Sequence, residues 1–162
     1  MSCCLLMRFL LKEQKTLVER TRAMETKTVK GNCLCGAVTV HTEVGSHMDA
    51  CHCGMCRKWG GGPLLAVESK GGANWSGEEH IGVYDSSEWA QRGFCKRCGT
   101  HLFYRLKGAP FYALPVGLLD NAGDFRFTRQ GFIDEKPGNY RFADETQNLT
   151  GAEIFALFQN GE

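Results

Sequence analysis

The sequence has almost no net charge. Its 162 residues carry 19 Lys and Arg against 18 Asp and Glu, a formal charge of +1. Nucleic-acid and anionic-membrane binding proteins usually show a basic excess, so neither partner is indicated. No apolar run approaches the ~20 residues needed to span a bilayer. The apolar run Cys3–Leu11 lacks a leading basic region, which makes it a poor secretory signal. Nor is the cysteine count even: there are nine. A secreted disulfide scaffold expects an even count and a signal peptide. A disulfide between Cys33 and Cys35 would also close a very small, strained ring.

What is present is sulfur at ligand spacing. Seven of the nine cysteines fall in three groups: Cys33-x-Cys35, Cys51-x-Cys53-x-x-Cys56 and Cys95-x-x-Cys98. Such turns place two or three sulfurs near one point, where a thiophilic ion such as zinc can bind them. The seven divide as four plus three. Cys33, Cys35, Cys95 and Cys98 form a closed tetrahedral set, a structural zinc site joining distant parts of the chain. Gly36 and Gly99 follow these turns, where the backbone needs a positive φ to leave them.

Cys51, Cys53 and Cys56 supply only three ligands to a second zinc. His52 could add a fourth, but its two neighbours already ligate, so the fourth position is expected to stay open for water or a thiol. An open position is what catalytic zinc requires. The cofactor expectation is therefore two Zn²⁺ per chain, with Cys51, Cys53 and Cys56 as the reactive set. Ligating thiols must stay reduced, which points to a cytoplasmic location.

Around the triplet, Arg57 and Lys58 are candidates for holding a carboxylate-bearing thiol, and otherwise solvated charges. Trp59 reads as core before contact. Gly60, Gly61 and Gly62 offer either a close-approach backbone or a plain loop. His101 reads as a packed histidine before a general base. His41, His47 and His80 stand in no constellation.

Glycine, at 20 of 162 residues, is well above the usual ~7% and favours short elements with tight turns. Ala37–Thr42 alternates as a half-buried strand does, and further strands are predicted near Thr28–Gly31, Pro63–Glu68, His80–Tyr84, Glu88–Phe94, Thr100–Leu106, Phe111–Gly117 and Asp124–Phe127. Pro115 moves its strand toward a sheet edge. Gly151–Gln159, preceded by Thr150 as a cap, is the best helix candidate. The fold class is all-β: short antiparallel strands joined by zinc-binding turns, with one short C-terminal helix. Residues 27–162 read as a single zinc-binding β domain, and residues 1–26 as a poorly ordered or helical N-terminal extension.

The order Gly31-x-Cys33-x-Cys35-Gly36, Cys51-His52-Cys53-x-x-Cys56-Arg57-Lys58 and Phe94-Cys95-x-x-Cys98-Gly99-Thr100 resembles the glutathione-dependent formaldehyde-activating family, also called the centromere-protein-V/Gfa family. The tail Phe132-Ile133-Asp134-Glu135-Lys136-Pro137 is similar to that family's segment too. The resemblance implies a mainly β, Mss4-like zinc fold, with the structural ion on Cys33, Cys35, Cys95 and Cys98 and an exchangeable one on Cys51, Cys53 and Cys56. It also implies a carbon–sulfur lyase of the S-hydroxymethylglutathione synthase type, acting on a glutathione adduct of formaldehyde or a related aldehyde, with a small-molecule thiol as partner. The other function class is a non-catalytic, zinc-stabilised protein-binding module.

Overall fold

The computed structural model describes residues 26–69 and 71–160. The expected extension, apart from residue 26, lies outside the described residues. Among the described residues, eleven short strands and two α-helices follow in the order β1 Thr26–Asn32, β2 Thr39–Gly45, β3 His47–Cys51, α1 Gly54–Gly60, β4 Leu64–Glu68, β5 Asn74–Ser76, β6 Ile81–Asp85, β7 Ala90–Cys95, β8 His101–Leu106, β9 Tyr112–Pro115, β10 Arg126–Gly131, β11 Gln147–Leu149 and α2 Gly151–Asn160. The all-β expectation holds.

The alternation that marks a half-buried strand is clearest in β2, where Val40, Thr42 and Val44 are buried while Thr39, His41 and Glu43 face water. Its register with β1 runs from Asn32 opposite Thr39 to Thr26 opposite Gly45. These two strands and β5 make a three-stranded sheet, and the other eight form a second sheet in the order β11-β10-β3-β4-β9-β8-β7-β6. One core joins them: Val29, Val38, Val40 and Val44 pack with Val67, Leu102, Leu114 and Phe125. Leu102 and Leu114 are fully buried, each contributing roughly 1.5–3 kcal/mol of apolar burial. Cys33 and Cys95 belong to this same core, so the four-thiol set grows out of the hydrophobic centre.

Three features depart from the sequence expectation. Strand β10 pairs in parallel with both β3 and β11, so the sheet is mixed rather than antiparallel throughout. Strand β9 is not an edge. It lies between β4 and β8, and Pro115, opposite Ala66, ends the strand, where a missing N–H costs little. The segment after the triplet is not only a turn but the helix α1, which ends at Gly61 with φ 78° and the Gly61 N–H on the Arg57 carbonyl. Gly60 to Gly62 are thus the exit of a helix.

Candidate metal centre and its cavity

The two thiol turns of the four-sulfur set are built alike. Cys33 N–H donates to the Val38 carbonyl and Cys95 N–H to the Thr100 carbonyl, both at 2.9 Å. Gly36 and Gly99 leave the turns at φ 73° and 76°, a conformation that favours glycine. The turns are laced together by the Leu34 N–H donating to Thr100 Oγ1 at 3.0 Å. The four sulfurs converge within 4.8 Å of one another, with Cys33 and Cys35 at 3.6 Å and Cys35 and Cys95 at 3.9 Å. Hydrogen bonds from the Thr100 hydroxyl and amide bring Cys98 down to about 5. Burial pushes the Cys33 thiol up, but the Val38 amide and the Cys35 and Cys95 thiols outweigh it, leaving the group below its ordinary value. Four sulfurs at mutual contact fit one thiophilic cation such as zinc.

The second set forms where β3 ends and α1 begins. Cys51 closes the strand, opposite Gly131 of β10. Cys53 is the N-cap of α1, its sulfur accepting the Cys56 N–H at 3.4 Å. Cys56 is buried in the first turn, one helical turn on from the cap. The three sulfurs also lie within 4.8 Å of one another. The Cys51 thiol is held far above its ordinary range, first by its hydrogen bonds to Cys53 and Cys56 and then by burial. Those same contacts, from Cys51 first, pull Cys53 well below it. Crowded sulfurs of this kind resist full deprotonation unless a cation joins them, so the donor set fits a metal ion.

One cation is already beside the sulfurs. Arg92, on β7, is 3% exposed and donates from Nη2 to Cys56 Sγ at 3.4 Å. Its guanidinium also lies over the Tyr104 and Trp59 rings, 5.2 and 5.9 Å from their centroids. Among the described residues no carboxylate pairs with it. A buried guanidinium facing only rings and a sulfur is costly unless that sulfur set carries negative charge.

The triplet and Arg92 form part of the wall of a cavity of about 180 Å³. The rest of the wall is mostly apolar, with Met55, Leu64, Phe111, Ile154, Phe155 and Phe158. Phe132 joins them from a left-handed backbone at φ 56°, a conformation rare for an aromatic residue. It meets Phe155 edge to face at 5.7 Å.

Residues 28–135 match the family model described as glutathione-dependent formaldehyde-activating enzyme. The chain belongs to that family. An uncharacterized lyase of Schizosaccharomyces pombe is 35% identical over 127 residues, spanning 77% of this chain and 93% of its own. A putative glutathione-dependent formaldehyde-activating enzyme of Halomonas elongata is 33% identical over 86 residues, 46% of this chain and 54% of its own. Among solved structures, a Rhodobacter sphaeroides protein is similar with a TM-score of 0.50 and 25% identity, over 61% of this chain and 99% of its own. In this member of the formaldehyde-activating family, the fold brings together all seven cysteines singled out by spacing, in the expected sets of four and three.

The neighbours of the triplet fall elsewhere. His52 is fully buried and turned into a polar cluster of its own: Nε2–H donates to Gln130 Oε1 at 2.9 Å, and the Tyr140 hydroxyl donates to Nδ1 at 2.7 Å. Burial keeps this imidazole below its ordinary value, so it stays neutral there. Arg57 donates from Nε to the His52 carbonyl at 2.8 Å, and with Lys58 it lines a separate open groove beside Tyr140. Trp59 packs against His101 at 4.8 Å and stacks on Tyr84 at 6.0 Å. His101 is a packed ring, its value lowered by burial and then by Arg92.

Three contributors escaped sequence reasoning. Arg92 looked like any strand arginine. Glu135 accepts the Gly54 N–H at 2.7 Å and so caps α1, while Asp134 next to it accepts the Gly151 N–H at 2.9 Å and caps α2. The resemblance of the tail segment to the family was the available signal for both carboxylates.

Proposed function

We propose that this protein is a zinc-dependent carbon–sulfur lyase acting on a glutathione–aldehyde adduct, of the S-hydroxymethylglutathione synthase type. Cys33, Cys35, Cys95 and Cys98 hold a structural zinc. Cys51, Cys53 and Cys56 hold a second, with one coordination position left for the substrate thiol. Residues 27–162 form the working domain, in a reducing, cytoplasmic setting. The observation that carries this reading is the meeting of three sulfurs and one buried guanidinium on the wall of a cavity. A purely structural zinc has no need of a cavity beside it. The names of the relatives, an uncharacterized lyase and a putative glutathione-dependent formaldehyde-activating enzyme, support the same class.

A zinc ion on the triplet would supply Lewis-acid polarisation and a lowered thiol pKa to the bound substrate. The chain's own groups do the rest. Arg92 keeps a fixed positive charge beside the Cys56 sulfur, and the aromatic wall excludes water, which strengthens that charge's effect. Glu135, by holding the first N–H of α1, fixes the position of Cys53 and Cys56. The added thiol loses its proton as the carbon–sulfur bond forms, and the carbonyl oxygen gains one.

The test is formaldehyde–glutathione exchange followed by NMR, with the wild type and Cys53→Ser. Acceleration over buffer by the wild type and its loss in the variant are expected, together with about two zinc ions per chain by elemental analysis. One tightly held zinc and no acceleration would instead identify a zinc-stabilised protein-binding module.

A further inference from the structure

The cavity is too large for formaldehyde and offers nothing to the carboxylates of glutathione, so only the sulfur end of that thiol would reach into it. Formaldehyde has two heavy atoms and would leave nearly all of its 180 Å³ unfilled. Glutathione carries two carboxylates, and among the described residues the cavity has no free cation to receive them. Arg129 reaches into it but is already engaged, with Nε donating to Asp49 at 2.8 Å and Nη2 shared between Asp49 and Glu68. That cluster of two acids and one base would repel a carboxylate. Arg92 is committed to Cys56. Cations that could meet glutathione's carboxylates, Arg57 and Lys58, line the other groove.

What the cavity does offer is apolar surface at a reactive wall. Apolar cavities of roughly 150 Å³ accept a benzene ring, so about 180 Å³ has room for a ring or a short alkyl chain with a carbonyl attached. The aromatic edges of Phe111, Phe132, Phe155 and Phe158 suit such a group, and the sulfurs and Arg92 lie where its polar end would point.

We infer that the carbonyl partner is an apolar aldehyde, aromatic or medium-chain alkyl, held by its hydrocarbon part in this cavity while the thiol is glutathione or another small thiol seated at the triplet. The inference rests on the lyase reading and names its substrate class. The reaction balances without a further reagent. The thiol R–SH adds across the C=O of R′–CHO, a carbon–sulfur bond forms, the π pair passes to oxygen, and oxygen takes a proton for the one the thiol loses. The product is the hemithioacetal R–S–CH(OH)–R′, and the reverse step is the lyase direction.

The experiment compares phenylacetaldehyde with formaldehyde in NMR exchange with glutathione on the zinc-loaded full chain. Hydrocarbon contacts of this size are worth one to two orders of magnitude, so about 100-fold higher kcat/KM for phenylacetaldehyde is expected. The unreactive alcohol 2-phenylethanol should bind, by calorimetry, and compete with phenylacetaldehyde. Ala113→Phe, which places a ring in the cavity, should bring the aldehyde ratio toward one, with its thermal midpoint checking the fold. Phe158→Ala is the second variant, expected to weaken 2-phenylethanol binding about 10-fold. Exchange accelerated equally or better for formaldehyde, with no 2-phenylethanol binding, overturns the inference and leaves the lyase reading standing. No acceleration with either aldehyde overturns the lyase reading, and this substrate claim falls with it.

Discussion

Arg92→Met keeps an unbranched apolar stem and removes the guanidinium. If the triplet holds zinc as proposed, three thiolates around the divalent ion leave one net negative charge, and Arg92, 3.4 Å from Cys56 Sγ, is placed to offset it. Unit charges at that separation attract by about 5 kcal/mol at an effective dielectric near 20. Desolvation of the guanidinium returns part of this, and hydrogen bonds to charged groups net about 1.5–3 kcal/mol. That range corresponds to roughly 10- to 150-fold weaker zinc at the triplet. The four-thiol set lies in another part of the core and should be unaffected. Competition with a chromophoric chelator resolves the two sites, and the same titration on Arg92→Lys asks whether charge alone suffices. With the triplet alone emptied of metal the sign reverses: a buried cation lacking its counter-charge is a burden, so Arg92→Met that keeps its four-thiol zinc should then be at least as stable as the wild type in the same state by denaturant unfolding. Equal weakening of both zinc sites, or no weakening of either, would refute the charge-balance argument.

Other perturbations probe the frame. A methyl group at Gly31 would stand 2.2 Å from the Leu118 carbonyl oxygen, a backbone atom that cannot swing aside; Gly31→Ala should cost on the order of 3 kcal/mol, read from the urea midpoint. Cys95→Ser removes one sulfur from the four-thiol set, which joins positions 60 residues apart, and on the proposed zinc reading chemical unfolding should lose its single cooperative transition, as should the wild type stripped by a strong chelator. The Thr150 N–H and hydroxyl hold the Glu153 carboxyl below its usual range. A carboxyl depressed in the folded state stabilises fully above its unfolded value, and this is lost as pH falls through the lower folded one. Amide protection factors in α2 should therefore fall at acid pH in the wild type, and Glu153→Gln should flatten that acid limb.

The thiol sets were readable in one dimension because ligation imposes short, fixed spacings, and because Gly36 and Gly99 mark the left-handed exits of the turns. Strands such as β2 were readable for a similar reason, since one face sees core and the other water. The helix α1 was not. It is seven residues long, and its cysteines and glycines signal a turn as strongly as a helix. The parallel pairing of β10 carries no local mark either, because the link to β11 contains a 3-10 turn instead of the usual crossover helix. Arg92 and Cys56 lie 36 residues apart, and Glu135 and Gly54 81 apart. Each becomes functional only through a neighbour that the fold supplies.

The short turn at Ile133–Glu135 has a consequence for how the site behaves as a whole. Adjacent carboxylates there grip the first amides of two different helices, one bearing sulfurs and the other presenting Ile154, Phe155 and Phe158 to the cavity. Sulfur geometry and cavity width are therefore mechanically coupled through a pivot three residues long. A ligand that presses on the aromatic side will be felt at the thiols, and any change in how the thiols are held will be reported back as a change in the space available to that ligand.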